Sequence, residues 1–214
     1  MRIVFQGDSI TDAGRNENNG SKMSIGQGYA ALTAGHLMLK KPTEFEFFNR
    51  GVAGNKIEDM YKRMQPDCWD LCPDVISILI GVNNVWVDSK EEEVEDNTVF
   101  EQNFRMLTEE TLKKLPKVKM IIMEPFLLKG STTTCHWERF RREVEKRAAS
   151  AQKISREFGQ SFVPLQKILD ELACTYSPEY WIADGVHPSL AGHAVIAREW
   201  LKIFGQIICE PGTK

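Results

Sequence analysis

The segment MRIVFQGDSITD, residues 1–12, runs from a short apolar stretch directly into a polar cluster that opens with glycine. Residues 3–6 predict a buried strand, and Gly7 permits a tight turn at its end. Further apolar runs predict four more strands, at residues 45–49, 75–80, 120–123 and 161–164. The chain therefore begins on the first of five predicted strands, and polar residues follow that strand directly.

Longer stretches with helical periodicity separate these strands, which indicates a parallel sheet covered by helices on both faces. Connections of this length are what parallel crossovers need. The charge run at residues 90–96 is expected to form a solvated loop or the start of a helix, and we assign it no chemistry. The predicted helices span residues 29–40, 56–64, 100–114, 137–158, 165–173 and 190–204.

Composition is that of an ordinary globular domain. The chain has 214 residues, of which 42% are hydrophobic, and no Pro/Gly/Ser-rich linker divides it, so we expect one domain over residues 1–214. The net charge of only -3 gives no reason to expect a nucleic-acid partner. No run reaches the length of a membrane helix, so no membrane partner is expected.

The first residues and the cysteines favour a cytoplasmic protein. The chain starts directly on a strand and shows no secretory signal pattern. Its five scattered cysteines are an odd number in a chain that does not need disulfides. Cys68 and Cys72 could form half of a metal site, but no second Cys/His pair accompanies them, so we expect no metal.

Four polar clusters follow predicted strands, and in open parallel sheets the ligand crevice lies beyond the carboxyl ends of the strands. The first contains Ser9, and the second is a glycine-punctuated loop that includes Gly54. The third contains Asn83, and the fourth has Asp184 and His187 three positions apart. Taken singly, these clusters are also typical of helix caps, plain turns, Asx turns and surface histidines.

Together the clusters supply every group that acyl transfer requires. Serine is a weak nucleophile at neutral pH, so His187 would take the proton of Ser9 and Asp184 would orient the imidazole ring. The tetrahedral oxyanion needs donors, and the candidates are the N–H groups of Ser9 and Gly54 and the side-chain amide of Asn83. The sequence therefore predicts a serine hydrolase.

These blocks, GDSITDAGR, NRGVAGN, GVNNVW and DGVHP, resemble those of the GDSL/SGNH hydrolases, which are lipases and acylhydrolases. The resemblance spans nearly the whole chain. It implies an α/β fold like flavodoxin, a three-layer α/β/α sandwich with a five-stranded parallel sheet in the order 2-1-3-4-5. It also implies an esterase without metal or organic cofactor. In the family the third block usually reads Gly-x-Asn-Asp, whereas this chain has Asn84 in place of the acid. We expect Asn84 to disturb loop support rather than catalysis, so that Asn84→Asp is tolerated.

Within the family, the blocks look most like those of intracellular acetylxylan esterases. That likeness implies removal of short acyl groups, above all acetyl, from substrates such as acetylated xylo-oligosaccharides, and homo-oligomers are common among such enzymes. Residues near the blocks are candidates for substrate binding, although each is equally compatible with a place in the core or at an interface. They are Asp8, Arg15, Tyr29, Trp86 and Trp181.

Two alternatives stay open at this stage. A lysophospholipase or thioesterase acting on longer acyl chains would carry the same blocks. A flavodoxin-like binding module without catalysis would have the same sheet, although residues 7–12 lack the phosphate cradle expected for a flavin. A phospho-receiver could use Asp8 but would leave Asp184 and His187 without a role. Three other histidines are less suited to the base role, because only His187 has an acid at the family spacing: His36, His136 and His193.

Overall fold

The computed structural model describes residues 1–16, 25–86 and 94–209. Five strands form one sheet in the order β2-β1-β3-β4-β5, and every neighbouring pair is parallel. The predicted class and strand order are confirmed. The strands are β1 (Arg2–Gly7), β2 (Glu46–Gly51), β3 (Val75–Leu79), β4 (Lys119–Met123) and β5 (Ser161–Val163).

Side chains alternate between the two faces of the sheet, so each face has its own apolar core. In β1, Ile3 and Phe5 belong to one core and Val4 to the other. The first core also takes residues from the helices that begin at Tyr29 and Leu190, and the second from the helices that begin at Ile57 and Asn97. This arrangement is the predicted three-layer sandwich.

Most helices lie close to their predicted positions. The helix predicted from residue 100 begins at Asn97, because the carboxylate of Asp96 caps it by accepting a hydrogen bond from the N–H of Thr98 at 2.9 Å. Of the charge run at 90–96, residues 90–93 lie outside the described residues. Short helices at Ser9 and Pro178 were not predicted. The helices are α1 (Ser9–Asp12), α2 (Tyr29–Lys40), α3 (Ile57–Lys62), α4 (Met64–Asp67), α5 (Asn97–Lys114), α6 (Trp137–Glu157), α7 (Gln166–Ala173), α8 (Pro178–Trp181) and α9 (Leu190–Cys209).

The register brings the ends of three strands to one level. Gly7 at the end of β1 pairs with Gly51 of β2 on one side and with Leu79 of β3 on the other. The loops that follow these strands therefore leave the sheet side by side. No helix in the described part of the chain is long and apolar enough to cross a membrane.

Candidate active site

Ser9 is the first residue of α1 and lies directly beyond the end of β1. Asp8 caps this short helix, and its Oδ1 accepts a hydrogen bond from the N–H of Ile10 at 3.0 Å. The turn before it needs glycine, because a Cβ on Gly7 would lie 2.3 Å from the carbonyl oxygen of Leu79. Close packing of β1, β3 and α1 thus fixes where the serine stands.

A continuous chain of hydrogen bonds joins Ser9 to His187 and Asp184. Ser9 Oγ lies 2.9 Å from His187 Nε2, and His187 Nδ1 lies 2.7 Å from Asp184 Oδ2. Because the carboxylate can only accept, Nδ1 carries a hydrogen, and Nε2 of the neutral ring is left to accept from the serine hydroxyl. This geometry suits proton transfer from the serine to the imidazole.

Backbone contacts hold the Asp184 carboxylate in place. Its Oδ1 accepts hydrogen bonds from the N–H groups of Val186 at 2.8 Å and His187 at 2.7 Å. Partial burial acts to raise the pKa of Asp184, but hydrogen bonds from His187 and from these N–H groups hold that pKa below its usual value. The group is therefore a carboxylate at neutral pH, able to stabilise an imidazolium.

A loop after β4 supports Asp184 from behind. The N–H and the hydroxyl of Thr132 donate to the Asp184 carbonyl at 3.0 and 2.8 Å, and the N–H of Leu128 donates to the carbonyl of Gly185 at 3.0 Å. At Gly130 the two backbones touch, and a Cβ there would lie 2.2 Å from the Asp184 carbonyl carbon. The position of the acid thus depends on a second loop.

The three predicted oxyanion donors follow β1, β2 and β3, the neighbouring strands whose ends are level. Among the described residues, nothing accepts a hydrogen bond from the N–H of Ser9 or of Gly54. One amide hydrogen of Asn83 is bound to the carbonyl of Asn55 at 3.0 Å, which ties this side chain to the Gly54 loop. No residue in the described part of the chain accepts the other amide hydrogen, so it can bind a ligand.

Two residues that sequence reasoning missed hold these loops together. The amide of Asn49 donates to the Thr11 carbonyl at 2.7 Å, and its oxygen accepts from the N–H of Gly51 at 2.9 Å. The Arg63 guanidinium donates hydrogen bonds to the backbone carbonyls of Arg50 at 2.7 Å and Gly7 at 3.2 Å. It also donates to the side-chain oxygen of Asn55 at 2.7 Å. The local sequence does not mark either role, because Thr11 lies 38 residues from Asn49 and Gly7 lies 56 residues from Arg63.

Asn84 is not a weak point of the third loop. Its buried side chain accepts a hydrogen bond from the N–H of Ile57 at 3.1 Å and donates to the carboxylates of Glu58 at 3.1 Å and Glu95 at 2.8 Å. The expectation that Asn84 disturbs loop support is therefore wrong, because its amide braces the loop. An aspartate could not make the two donated bonds.

Two predicted substrate contacts lie beneath the surface instead. Tyr29 is fully buried, its hydroxyl is 3.0 Å from the Thr11 hydroxyl, and its ring packs edge-on against Phe5. Asp8 is 1% exposed, and burial raises its pKa to about 7 although the Ile10 hydrogen bond and the nearby His187 act to lower it. Neither side chain has surface for a substrate, so these two expectations are corrected.

The other three candidates retain some exposed surface. The Arg15 guanidinium binds the carbonyl of Gly51 and braces the loop after β2. Trp86 is 37% exposed and stacks on Phe140, with ring centroids 5.0 Å apart. Trp181 is half-buried, and its indole N–H donates to the carbonyl of Leu172 at 3.1 Å. Their contact with a substrate stays a prediction.

Each of the other three histidines has a different setting from His187, which is hydrogen-bonded to Ser9. His193 in α9 is buried, its Nδ1 accepts from the N–H of Tyr29 at 3.2 Å, and burial lowers its pKa to about 4. His36 lies in α2, and His136 packs edge-on against Phe140. In the described part of the chain, no group of three His, Cys, Asp or Glu side chains is placed to hold a metal ion.

Comparison with known proteins identifies the family of this chain. A family model for the GDSL-like lipase/acylhydrolase family matches residues 5–195. The chain belongs to this GDSL-like family. A GDSL-like protein from Parabacteroides merdae has a similar structure, with a TM-score of 0.89 and 36% identity over 95% of each chain.

Acetylxylan esterases are among the relatives of this GDSL-like chain. The acetylxylan esterase of Geobacillus stearothermophilus is 32% identical over 209 residues, which cover 95% of this chain and 94% of the relative. The solved structure of the acetylxylan esterase Axe2 from that organism gives a TM-score of 0.83, with 34% identity over 95% of this chain and 94% of that one. Solved catalytic mutants of Axe2 replace a serine, an aspartate or a histidine by alanine, and that aspartate precedes the histidine by three positions.

Proposed function

We propose that this GDSL-family protein is a serine esterase, with Ser9 as nucleophile, His187 as general base and Asp184 as the acid that orients it. The observation that carries the proposal is the chain of hydrogen bonds from Ser9 Oγ through the imidazole to Asp184, at 2.9 and 2.7 Å. These distances lie within the range expected of a nucleophile and its base.

In the proposed reaction, His187 Nε2 takes the proton of Ser9 as Oγ attacks the ester carbonyl. The negative charge that develops on the carbonyl oxygen is stabilised by the N–H groups of Ser9 and Gly54 and by the free amide hydrogen of Asn83. Asp184 stabilises the imidazolium, which then protonates the leaving alcohol. Water, activated by the same imidazole, releases the acyl group from Ser9.

We further propose that the acyl group is acetyl and that the alcohol is carbohydrate, such as a xylo-oligosaccharide. The support is the likeness to acetylxylan esterases over almost the whole chain. Among the residues that the structure describes, the site is also open, since the side chain of His187 is 52% exposed. A long acyl chain needs a deep apolar trough, because each buried CH₂ contributes about 0.8 kcal/mol.

Substrate preference is tested by measuring kcat/KM for p-nitrophenyl acetate, butyrate and octanoate. The proposal expects the highest value with acetate, and mass spectrometry of acetylated xylo-oligosaccharides should show loss of acetyl. A rise from acetate to octanoate would instead favour a lysophospholipase or thioesterase, without affecting the assignment of Ser9. A protein without any esterase activity would return the binding-module alternative.

A further inference from the structure

At position 84 this chain carries asparagine, where the resemblance to GDSL/SGNH hydrolases implies an aspartate. The residue lies in the 3₁₀ turn Val82–Asn84, directly after the proposed oxyanion donor Asn83. It is 2% exposed. A change in the contacts of Asn84 is therefore expected to shift the backbone that carries Asn83.

The side-chain amide of Asn84 makes three hydrogen bonds, and both of its N–H groups are used. Its Oδ1 accepts from the N–H of Ile57, the first residue of α3, whose N–H has no partner within the helix. Its Nδ2 donates to Glu58 Oε2 and to Glu95 Oε2. Exchanging the amide oxygen and nitrogen would turn an oxygen toward two carboxylates, so the hydrogen bonds determine the orientation.

Two glutamates thus meet at one amide, and each comes from a different part of the chain. Glu58 lies in the first turn of α3, and Glu95 lies just before α5. The backbone carbonyl of Glu95 is itself bound by the guanidinium of Arg147, a buried residue of α6. Through Asn84, the 3₁₀ turn that carries Asn83 is therefore linked by hydrogen bonds to α3 and to the segment before α5, which in turn is bound by α6.

Aspartate would fit the space but not the charges. It could keep the bond to the Ile57 N–H, but an ionised carboxylate has no hydrogen to donate to Glu58 or Glu95. In the buried position of Asn84, the new carboxylate would then lie within hydrogen-bonding distance of the carboxylates of Glu58 and Glu95. Like charges that close together repel strongly. The turn would have to move, or the site would have to take up a proton.

We propose that Asn84 is a positioning residue for the oxyanion donor Asn83, and that Glu58 and Glu95 make asparagine, not aspartate, the residue required at this position. The proposal rests on the esterase function proposed above. It predicts a dependence between positions that are 11 residues and 26 residues apart in the chain. Replacing Asn84 by the family's usual residue should harm this protein.

The test is a double-mutant cycle assayed with p-nitrophenyl acetate. Asn84→Asp is expected to lower kcat by about 10²-fold with little change in KM, the usual size for displacing a catalytic group by about 1 Å. Adding Glu95→Gln gives the neighbouring side chain a donor for the new carboxylate and should recover activity by about tenfold or more, whereas the two losses would simply add if the positions were independent. Glu109→Gln, an exposed change on α5, is the matched control and should leave activity unchanged.

If Asn84→Asp does not fold, Glu95→Ala provides the second variant, because it removes one acceptor and keeps the Ile57 bond. It too should lower kcat and leave KM nearly unchanged. Wild-type kcat in Asn84→Asp or in Glu95→Ala, or no recovery in the double variant, would overturn the proposal. Ser9→Ala is measured beside them: if that variant kept its activity, the esterase mechanism itself would be wrong, and the failure would not be that of Asn84.

Discussion

Replacing Asp8 by asparagine is expected to stabilise the folded protein at pH 8. Asp8 is 1% exposed, and burial raises its pKa from 3.8 to about 7. One pKa unit corresponds to about 1.4 kcal/mol, so keeping this carboxylate ionised in the folded state costs up to about 4 kcal/mol above pH 7. Asparagine removes the charge and keeps the oxygen that caps α1, and it is as good an N-cap as aspartate.

The pH dependence follows from the direction of the pKa change. The folded state holds this proton more tightly than the unfolded chain does. The stability that Asp8 contributes is therefore complete below about pH 4, where Asp8 is protonated in both states, and is lost as the pH rises to about 7. The advantage of Asp8→Asn should therefore fall by about half or more between pH 8 and pH 5.

Urea unfolding of wild type and variant at pH 5, 6, 7 and 8 measures this difference directly. The exposed change Asp70→Asn is the control for the same chemical replacement at the surface. An Asp8→Asn protein that is no more stable than wild type at pH 8, or whose advantage is the same at every pH, would refute the reasoning.

Two substitutions test how the catalytic groups are placed. Asn83→Ala is expected to lower kcat by roughly 10²- to 10³-fold with little change in KM, and an effect confined to KM would move Asn83 to substrate binding. Gly130→Ala would bring a Cβ to 2.2 Å from the Asp184 carbonyl carbon, so kcat should fall by about 10²-fold. Its control is Gly35→Ala, an exposed position in α2 with nothing within 4 Å of the new Cβ, which should keep its activity and gain about 1 kcal/mol of stability. Wild-type kcat in Gly130→Ala would show that the loop after β4 does not position the acid.

Sequence reasoning did best where the information is local. The spacing of Asp184 and His187 and the apolar runs of the strands are short patterns that can be read directly. The five apolar runs correspond to the five strands of the sheet. The order of the strands came from the family resemblance, because periodicity does not say which strands are neighbours. Strand limits differ by one or two residues, as at β2, which continues to Gly51 where it pairs with the end of β1.

What sequence reasoning missed depends on contacts between distant parts of the chain. Tyr29 is a candidate for substrate binding from the sequence, but it opens α2, packs against Phe5 of β1 and is buried there. The role of Arg63 depends on four carbonyl or amide oxygens that the fold brings around it. Asn84 differs from the residue that the motif implies. Its hydrogen bonds to Glu58 and Glu95 could not be predicted, because the fold brings these residues together from distant parts of the chain.

The central claim is that Ser9 carries the acyl group during the reaction. It is tested most directly by labelling the protein with a fluorophosphonate, digesting it and locating the modified residue by mass spectrometry, with Ser9→Ala and His187→Ala in parallel. We expect one label per chain on Ser9, no label in Ser9→Ala and very slow labelling in His187→Ala, because the base activates the serine. A label on another residue, or undiminished labelling and esterase activity in Ser9→Ala, would contradict it.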